Sequence, residues 1–149
     1  MMTLVVVGAS MSSAAPVKVD FNRDIRPILS ENCFTCHGPD EKARKSDLRL
    51  DVREVALKPA KSGAVAIVPG AVAKSELLTR ITTKDSDDVM PPTKTGKKLT
   101  AAQVDLLRRW IAQGADYQQH WAFVKPERPA VPVIRNSKAA PRNAIDHFI

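Results

Sequence analysis

Five consecutive residues carry the clearest chemical signal in the sequence: Cys33, Phe34, Thr35, Cys36 and His37. The two cysteines are three positions apart, so both thiols can add to the vinyl groups along one edge of a haem. The imidazole of His37 follows the second cysteine directly and can bind the haem iron as the proximal ligand. This C-x-x-C-H spacing predicts haem c, covalently attached through Cys33 and Cys36 and ligated by His37.

Two other uses of a cysteine pair remain as alternatives. A structural zinc site usually needs four ligands, and His120 and His147 are the only histidines outside the motif. A thioredoxin-like redox pair begins a helix after a strand, whereas this pair follows a predicted helix. Neither alternative explains the adjacent His37, although a zinc-binding interaction module stays open.

A methionine much further along the chain is the predicted distal ligand. Met90 precedes Pro91 and Pro92, and all other methionines lie within residues 1–11. Because a residue before proline is pushed out of the helical region, this loop should be extended and should present the thioether sulfur in one direction. We therefore predict that the haem iron is held between His37 and Met90.

Filling both axial positions favours one-electron transfer over oxygen chemistry, and a thioether ligand raises the reduction potential. On this interpretation the domain carries electrons and is not itself catalytic, although it could be part of a larger oxidoreductase. The alternative from another functional class is a haem-based small-molecule sensor or a peroxidase-like site, in which Met90 dissociates to open the iron.

Helices are predicted on both sides of the motif. Apolar residues recur at helical spacing over residues 21–29, so a helix capped by Asn22 or Asp24 should run into the motif, with Pro27 tolerated in its first turn. Near the other end, Thr100 and Gln103 have the spacing of a capping box. The closing helix should bury a stripe formed by Val104, Leu107, Trp110 and Ile111 and stop at Gly114.

The segment between these helices gives weaker signals. We predict a short extended segment ending at Asp51, a brief helix from there to about Leu57, a loop strand over residues 64–68 and a helix over residues 72–82. Leu77, Leu78 and Ile81 would share one face of that last helix.

The composition is that of one folded domain with additional sequence: the chain has 149 residues, of which 44% are hydrophobic and 26% charged. The net charge of +7 suits an acidic protein, a nucleic acid or an anionic membrane. Given the haem motif, we expect a redox partner protein, for which an acidic surface would be complementary, and no nucleic acid. Membrane association of the full-length protein stays open.

Residues 1–15 contain no charged side chain, and an apolar run over residues 4–9 is followed by small residues that suit a signal-peptidase site. We predict a signal peptide there, with a weak n-region because no Lys or Arg precedes the run. The protein would then be exported, to the periplasm or another extracytoplasmic space. Residues 118–149 are interrupted by prolines and predict a linker followed by the truncated start of another domain.

Taken together, these residues resemble the Planctomycete cytochrome c family over about residues 17–117. The matching stretches are residues 19–29, 33–38, 48–51, 67–70, 90–92 and 106–111. The resemblance implies an all-α cytochrome c fold, with three to five short helices around the covalently attached haem and with the first and last helices crossing beside it. The tail after residue 118 resembles the lead-in to the larger domain that follows this cytochrome in long secreted members of the family.

Overall fold

The computed structural model of the chain describes residues 17–60, 62–133 and 142–148, so the predicted signal peptide lies outside the described residues. The contacts between residues divide the chain into two compact units, the first ending at Gln118 and the second beginning at Gln119. The described part of the first unit is helical and contains no β-strand, in agreement with the predicted all-α class. Its α-helices are α1 (Arg26–Asn32), α2 (Phe34–His37), α3 (Arg53–Ala56), α4 (Glu76–Thr82) and α5 (Ala101–Ala112).

The first helical segment is capped by Asp20, and not by Asn22 or Asp24 as predicted. The Asp20 carboxylate accepts a hydrogen bond from the backbone N–H of Arg23 at 2.8 Å. In return the backbone N–H of Asp20 donates to the carboxylate of Asp24 at 2.9 Å. Asp24 therefore contributes to the cap from inside the helix, in the way that the second residue of a capping box does.

The helix that leads to the cysteine motif begins with one wide turn. Residues Phe21–Ile25 form a π-helical turn in which the backbone N–H of Arg26 donates to the carbonyl of Phe21. Pro27, the second residue of α1, has no N–H to donate, and in a regular helix its ring would crowd the carbonyl four residues earlier. The wide turn lies where the proline interrupts the regular bonding pattern. As predicted, the segment runs directly into Cys33.

The closing helix α5 agrees closely with its prediction. The backbone N–H of Gln103 donates to the Thr100 hydroxyl at 3.2 Å, and the backbone N–H of Thr100 donates to the Gln103 side-chain oxygen at 2.9 Å, so the capping box is complete. Of the predicted stripe, Leu107, Trp110 and Ile111 are buried, whereas Val104 is only half-buried. Gly114 has a φ of 107°, which favours glycine, and it follows the C-cap Gln113, so the helix ends at Ala112.

Two predictions for residues 51–68 are wrong. Asp51 does not cap α3, because its carboxylate is paired with Arg49 at 2.5 Å. Residues 64–68 contribute an isolated bridge between Val65 and Pro59 and form no strand. The hydrogen bonds of this segment go instead to the start of α4, where the backbone N–H of Leu77 donates to the carbonyl of Ala66 at 3.0 Å.

The helix predicted over residues 72–82 is divided at a buried serine. A 3₁₀ turn covers Val72–Lys74, and α4 begins after Ser75, which has extended backbone angles. The Ser75 hydroxyl accepts from the backbone N–H of Val68 at 2.9 Å and donates to the carbonyl of Ala71 at 3.0 Å. Side-chain bonds of this kind compete with continuous helix, which explains the break.

Three aromatic rings join the beginning of the first unit to its end. Phe21 lies 5.6 Å from Trp110 and 4.6 Å from Tyr117 between ring centroids, and the latter two rings are 5.2 Å apart. The indole N–H of Trp110 donates to the carbonyl of Asp116 at 3.0 Å. Trp110 is therefore a core residue with a satisfied polar group.

Hydrogen bonds reinforce the same junction. The backbone N–H of Val19 donates to the side-chain oxygen of Gln113 at 2.8 Å, and the side-chain amide of Gln118 donates to the Asp20 carboxylate at 2.9 Å. The two edges of the first unit are thus bonded to each other, although more than ninety residues separate them in the sequence.

The described residues of the second unit form two 3₁₀ turns, Trp121–Phe123 and Ile145–His147, and otherwise lack regular structure. Its role as a linker and the start of another domain stays a prediction. None of the helices within the described residues has the length and apolar character needed to span a membrane.

Candidate functional site

A cavity of about 460 Å³ lies within the first unit and brings together three of the four predicted site residues. Cys33, His37 and Met90 all line it, whereas Cys36 does not. Most of the remaining wall is apolar, which is typical of cofactor sites. The apolar part of the wall is formed by Leu48, Leu50, Val55, Pro59, Ala60, Ala64, Ala66, Leu77 and Ile81.

The cysteine motif is placed by the end of α1 and by the single turn of α2. The backbone N–H of Cys33 donates to the carbonyl of Leu29 at 2.8 Å, which ties the first cysteine to α1. The backbone N–H of His37 donates to the carbonyl of Cys33 at 2.8 Å, so one helical turn separates the thiol from the imidazole. Cys33 and Cys36 are both free thiols and both partly buried.

The carbonyl groups at the end of α2 are held by the loop that follows it. Lys45 donates its backbone N–H to the carbonyl of Cys36, and Leu50 donates to the carbonyl of His37, each at 2.8 Å. The carbonyl of Leu50 in turn accepts from the Tyr117 hydroxyl at 3.1 Å. A residue beyond α5 thus helps to fix the loop that holds the imidazole.

Gly38 allows the chain to turn sharply after the motif. A Cβ atom at this position would lie 2.3 Å from the carbonyl oxygen of Phe34 and 2.9 Å from its Cβ. Atoms cannot approach that closely without displacement of the backbone. The glycine after His37 is therefore required by packing against α2.

Burial dominates the electrostatics of the motif. It raises the pKa of the Cys33 thiol to about 11, an effect that the nearby positive charge of Lys97 only partly opposes. It also lowers the pKa of His37, against a smaller opposing effect from the Lys45 backbone. The Nδ1 atom of His37 is buried and makes no hydrogen bond. The imidazole is thus favoured in its neutral form, which is the form that binds metals.

The loop before Met90 is attached to α4. The backbone N–H of Met90 donates to the carbonyl of Arg80 at 2.9 Å, and the residue is half-buried. Residues 86–88 form a turn, and the Met90–Pro91 peptide bond is cis. A 3₁₀ turn, Thr93–Thr95, follows the prolines.

The other polar and charged residues of the cavity wall were not identified from the sequence; they are Ser46, Asp47, Lys58, Ser62, Glu76 and Arg80. Arg80 lines the cavity beside Leu77 and Ile81, which were predicted to share a face of their helix. Its partner Glu76 lies four residues earlier, a spacing typical of ion pairs on a helix, and this signal could have drawn attention to it. Trp110 is absent from the cavity wall.

The donors that line the cavity fit a haem with histidine and methionine ligands. An imidazole, a thioether and a thiol face one apolar space, and these are the groups used for covalent attachment and axial ligation in cytochromes c. Across the described residues, no three His, Cys, Asp or Glu side chains are grouped so that they could hold a metal ion. His120 and His147 belong to the second unit.

Residues 33–94 match the protein family described as Planctomycete cytochrome C. The matched segment contains Cys33, Cys36, His37 and Met90. The match indicates a cytochrome c domain and, with it, covalent haem c and a redox partner in general terms. Searches of curated proteins and of solved structures found no significant match.

Proposed function

We propose that this domain transfers single electrons through a haem c that is attached to Cys33 and Cys36 and held by His37 and Met90. The observation that carries the proposal is the shared cavity: its wall contains both proposed axial ligands, from distant parts of the chain, together with the first thiol of the motif. When bound, the haem supplies a ferric/ferrous couple.

The cavity wall supports this use in two ways. Two protein ligands leave no axial position open to oxygen or peroxide, so the site suits electron transfer. The apolar side chains around the ligands exclude water and disfavour the extra charge of the ferric state, which raises the reduction potential. His37 is kept neutral by burial, and the thioether of Met90 carries no charge.

We also propose that the domain is exported and meets a partner protein with an acidic surface. The apolar run over residues 4–9 and the small residues after it support export. The net charge of +7 and the exposed Lys94, Lys97 and Lys98 support the choice of partner, because opposite charges steer association. Charge complementarity to this basic surface is the property by which we define the electron donor and the electron acceptor.

Replacing Met90 with alanine tests the axial ligation. The Met90→Ala variant should have a lower reduction potential, and its iron should bind cyanide or carbon monoxide. Val89→Ala is the matched control, because Val89 is also half-buried but does not line the cavity. An unchanged potential together with no new ligand binding in Met90→Ala would overturn the assignment.

Two measurements on the unsubstituted protein separate the remaining alternatives. Alkaline pyridine treatment of protein made in a host able to attach haem should give the spectrum of covalently held haem, and its absence would exclude a haem function. The ferrous protein should be low-spin and six-coordinate. Rapid binding of carbon monoxide to it would instead indicate a sensor or a peroxidase-like site.

A further inference from the structure

Arg80, a residue of α4, attaches the loop that carries Met90 to the cavity wall. The main chain of Arg80 accepts the backbone N–H of Met90 at 2.9 Å. Its guanidinium Nη1 donates to the carboxylate of Asp88 and, at 3.4 Å, to the carbonyl of Asp88. Arg80 therefore contacts the loop both at Met90 and two residues before it.

The guanidinium of Arg80 is also fixed to its own helix. Its Nε donates to the carboxylate of Glu76 at 2.7 Å, one turn earlier on α4. The planar guanidinium can direct separate donors at two carboxylates, which the point charge of a lysine cannot reproduce. Because Glu76 and Arg80 both line the cavity, this arrangement connects the rigid wall to the loop.

We propose that Arg80 is a positioning residue that controls how often Met90 leaves the haem iron. This inference rests on the proposed axial ligation by Met90. The guanidinium contacts from Arg80 to Asp88 hold the backbone on the N-terminal side of Met90, so their loss increases the fraction of time that the loop is displaced and the iron position is open, although the main-chain bond to Met90 remains. Arg80 itself need not touch the haem.

The rate at which cyanide binds to the ferric haem protein measures this opening, because cyanide can enter only after the thioether has left. Arg80→Gln should raise that rate by about three- to tenfold, as expected for the loss of partly exposed ion pairs. The cyanide-binding rate of Arg80→Lys should lie between the rates of the unsubstituted protein and Arg80→Gln, because lysine restores the charge without the two directed contacts.

Arg109→Gln is the matched control. Arg109 forms an ion pair with Asp105 at 2.8 Å, also with a spacing of four residues and with comparable exposure, but α5 does not line the cavity. Its cyanide rate should equal that of the unsubstituted protein. Asp88→Asn is a second, milder variant that keeps Arg80 and Glu76 paired, and it should also raise the rate.

Salt provides an independent measurement. Raising the ionic strength screens the contact between Arg80 and Asp88, so cyanide binding to the unsubstituted protein should become faster, whereas Arg80→Gln should respond less. A salt effect of the same size in both proteins would argue against the proposal.

The Met90→Ala background distinguishes failure of this inference from failure of the proposed ligation. If Met90 is the ligand, Met90→Ala binds cyanide fast, and adding Arg80→Gln does not increase the rate further. The role of Arg80 alone would be overturned if Arg80→Gln and Asp88→Asn bound cyanide at the rate of the unsubstituted protein. It would also be overturned if Arg109→Gln increased the rate as much as Arg80→Gln does. A normal rate in Met90→Ala would overturn the ligation on which it rests.

Discussion

The two flanks of the first unit, residues 17–32 and 101–118, differ from residues 33–94 in how they are stabilised. The flanks supply most of the large, fully buried side chains, including Phe21, Trp110 and Ile111. The middle segment has short helices and loops arranged around the cavity and contributes few such residues, with Ile67 as the main example. The core thus comes mostly from the flanks, while the middle segment adds Leu50, Ala56, Ile67, Leu77 and Leu78 to the same core and also surrounds the cavity.

The same division separates the two kinds of sequence information. The flanks carry the clear helix signals, such as the capping box of Thr100 and Gln103. The family match covers the middle segment, where local signals are weak. The helix signals thus identify the flanks, and the family match identifies the middle segment.

Removal of the haem attachment tests how far the middle segment depends on the haem. Changing both Cys33 and Cys36 to serine should abolish covalent haem and should loosen the middle segment selectively, because a group bound only by the folded state stabilises what surrounds it. We expect amide hydrogen exchange in α4 to accelerate by about 100-fold, which corresponds to about 2.7 kcal/mol. Exchange in α5 should change much less.

Mass spectrometry of exchanged peptides from the full chain checks this expectation, with Cys33→Ser alone as an intermediate case that retains one thioether. Equal acceleration in α4 and α5 would mean that the flanks also depend on the haem, and the contrast between the two regions would fail.

A substitution in the flanks tests the other half of the comparison. Trp110→Ala should lower the free energy of unfolding by about 3–5 kcal/mol, because it removes a buried ring that contacts Phe21 and Tyr117. Denaturant unfolding of the haem protein measures the loss. Phe123→Ala is the aromatic control: Phe123 is 76% exposed in the second unit, and the change should stay within about 0.5 kcal/mol. A loss below about 1 kcal/mol for Trp110→Ala would show that this cluster does not dominate the core.

Gly38→Ala tests the boundary between the two regions. The added Cβ would overlap the carbonyl of Phe34, so we expect a loss of about 1–3 kcal/mol in unfolding free energy and a weaker hold on His37. The ferric absorption spectrum reports the second effect. Gly63→Asn is a suitable control, because its Cβ would meet no neighbouring atom and asparagine tolerates the positive φ of 82°. Equal stability of the two variants would contradict the packing role of Gly38.

The smallest expected effect concerns acid stability in the first flank. The hydrogen bond from Arg23 is the main reason why the pKa of Asp24 is lowered from 3.8 to about 2. Since the pKa is lower in the folded state, this contribution is present above about pH 4 and is lost as the pH falls towards 2. Its size should be below about 1 kcal/mol because the Arg23 side chain is largely exposed.

Asp24→Asn should therefore flatten the decline in unfolding free energy between pH 4 and 2, measured by urea unfolding. Arg23→Gln should have nearly the same effect, because it removes the main cause of the shift. An unchanged pH dependence in both variants would show that other carboxylates govern acid stability.

The sequence was sufficient where structure depends on neighbours along the chain. The capping box at Thr100 and the stop at Gly114 each involve residues within a few positions, and both were predicted correctly. The prediction of the first N-cap was wrong because Asp20, Asn22 and Asp24 are all residue types that can cap a helix. Asp20 is the one whose carboxylate also accepts from the amide of Gln118, a residue at the far edge of the unit.

The candidate site shows the same limit. Cys33 and His37 could be predicted as a pair because one helical turn connects them, and the methionine could be predicted because its proline-rich setting is unusual for a core residue. The contact between Arg80 and the Met90 loop could not, because it arises only when the loop folds back on α4. Likewise, the break at Ser75 depends on bonds to residues in the preceding loop.

The beginning and the end of the first unit lie next to each other, because hydrogen bonds join them. Because Val19 is held by Gln113 and Asp20 by Gln118, a short peptide could join the two edges without disturbing α1 or α5. New termini could then be opened at Gly63, an exposed position with no atom within reach of a side chain. In such a circular permutant Met90 and α5 would be synthesised before α1, and the cysteine motif would follow both flanks in order of synthesis.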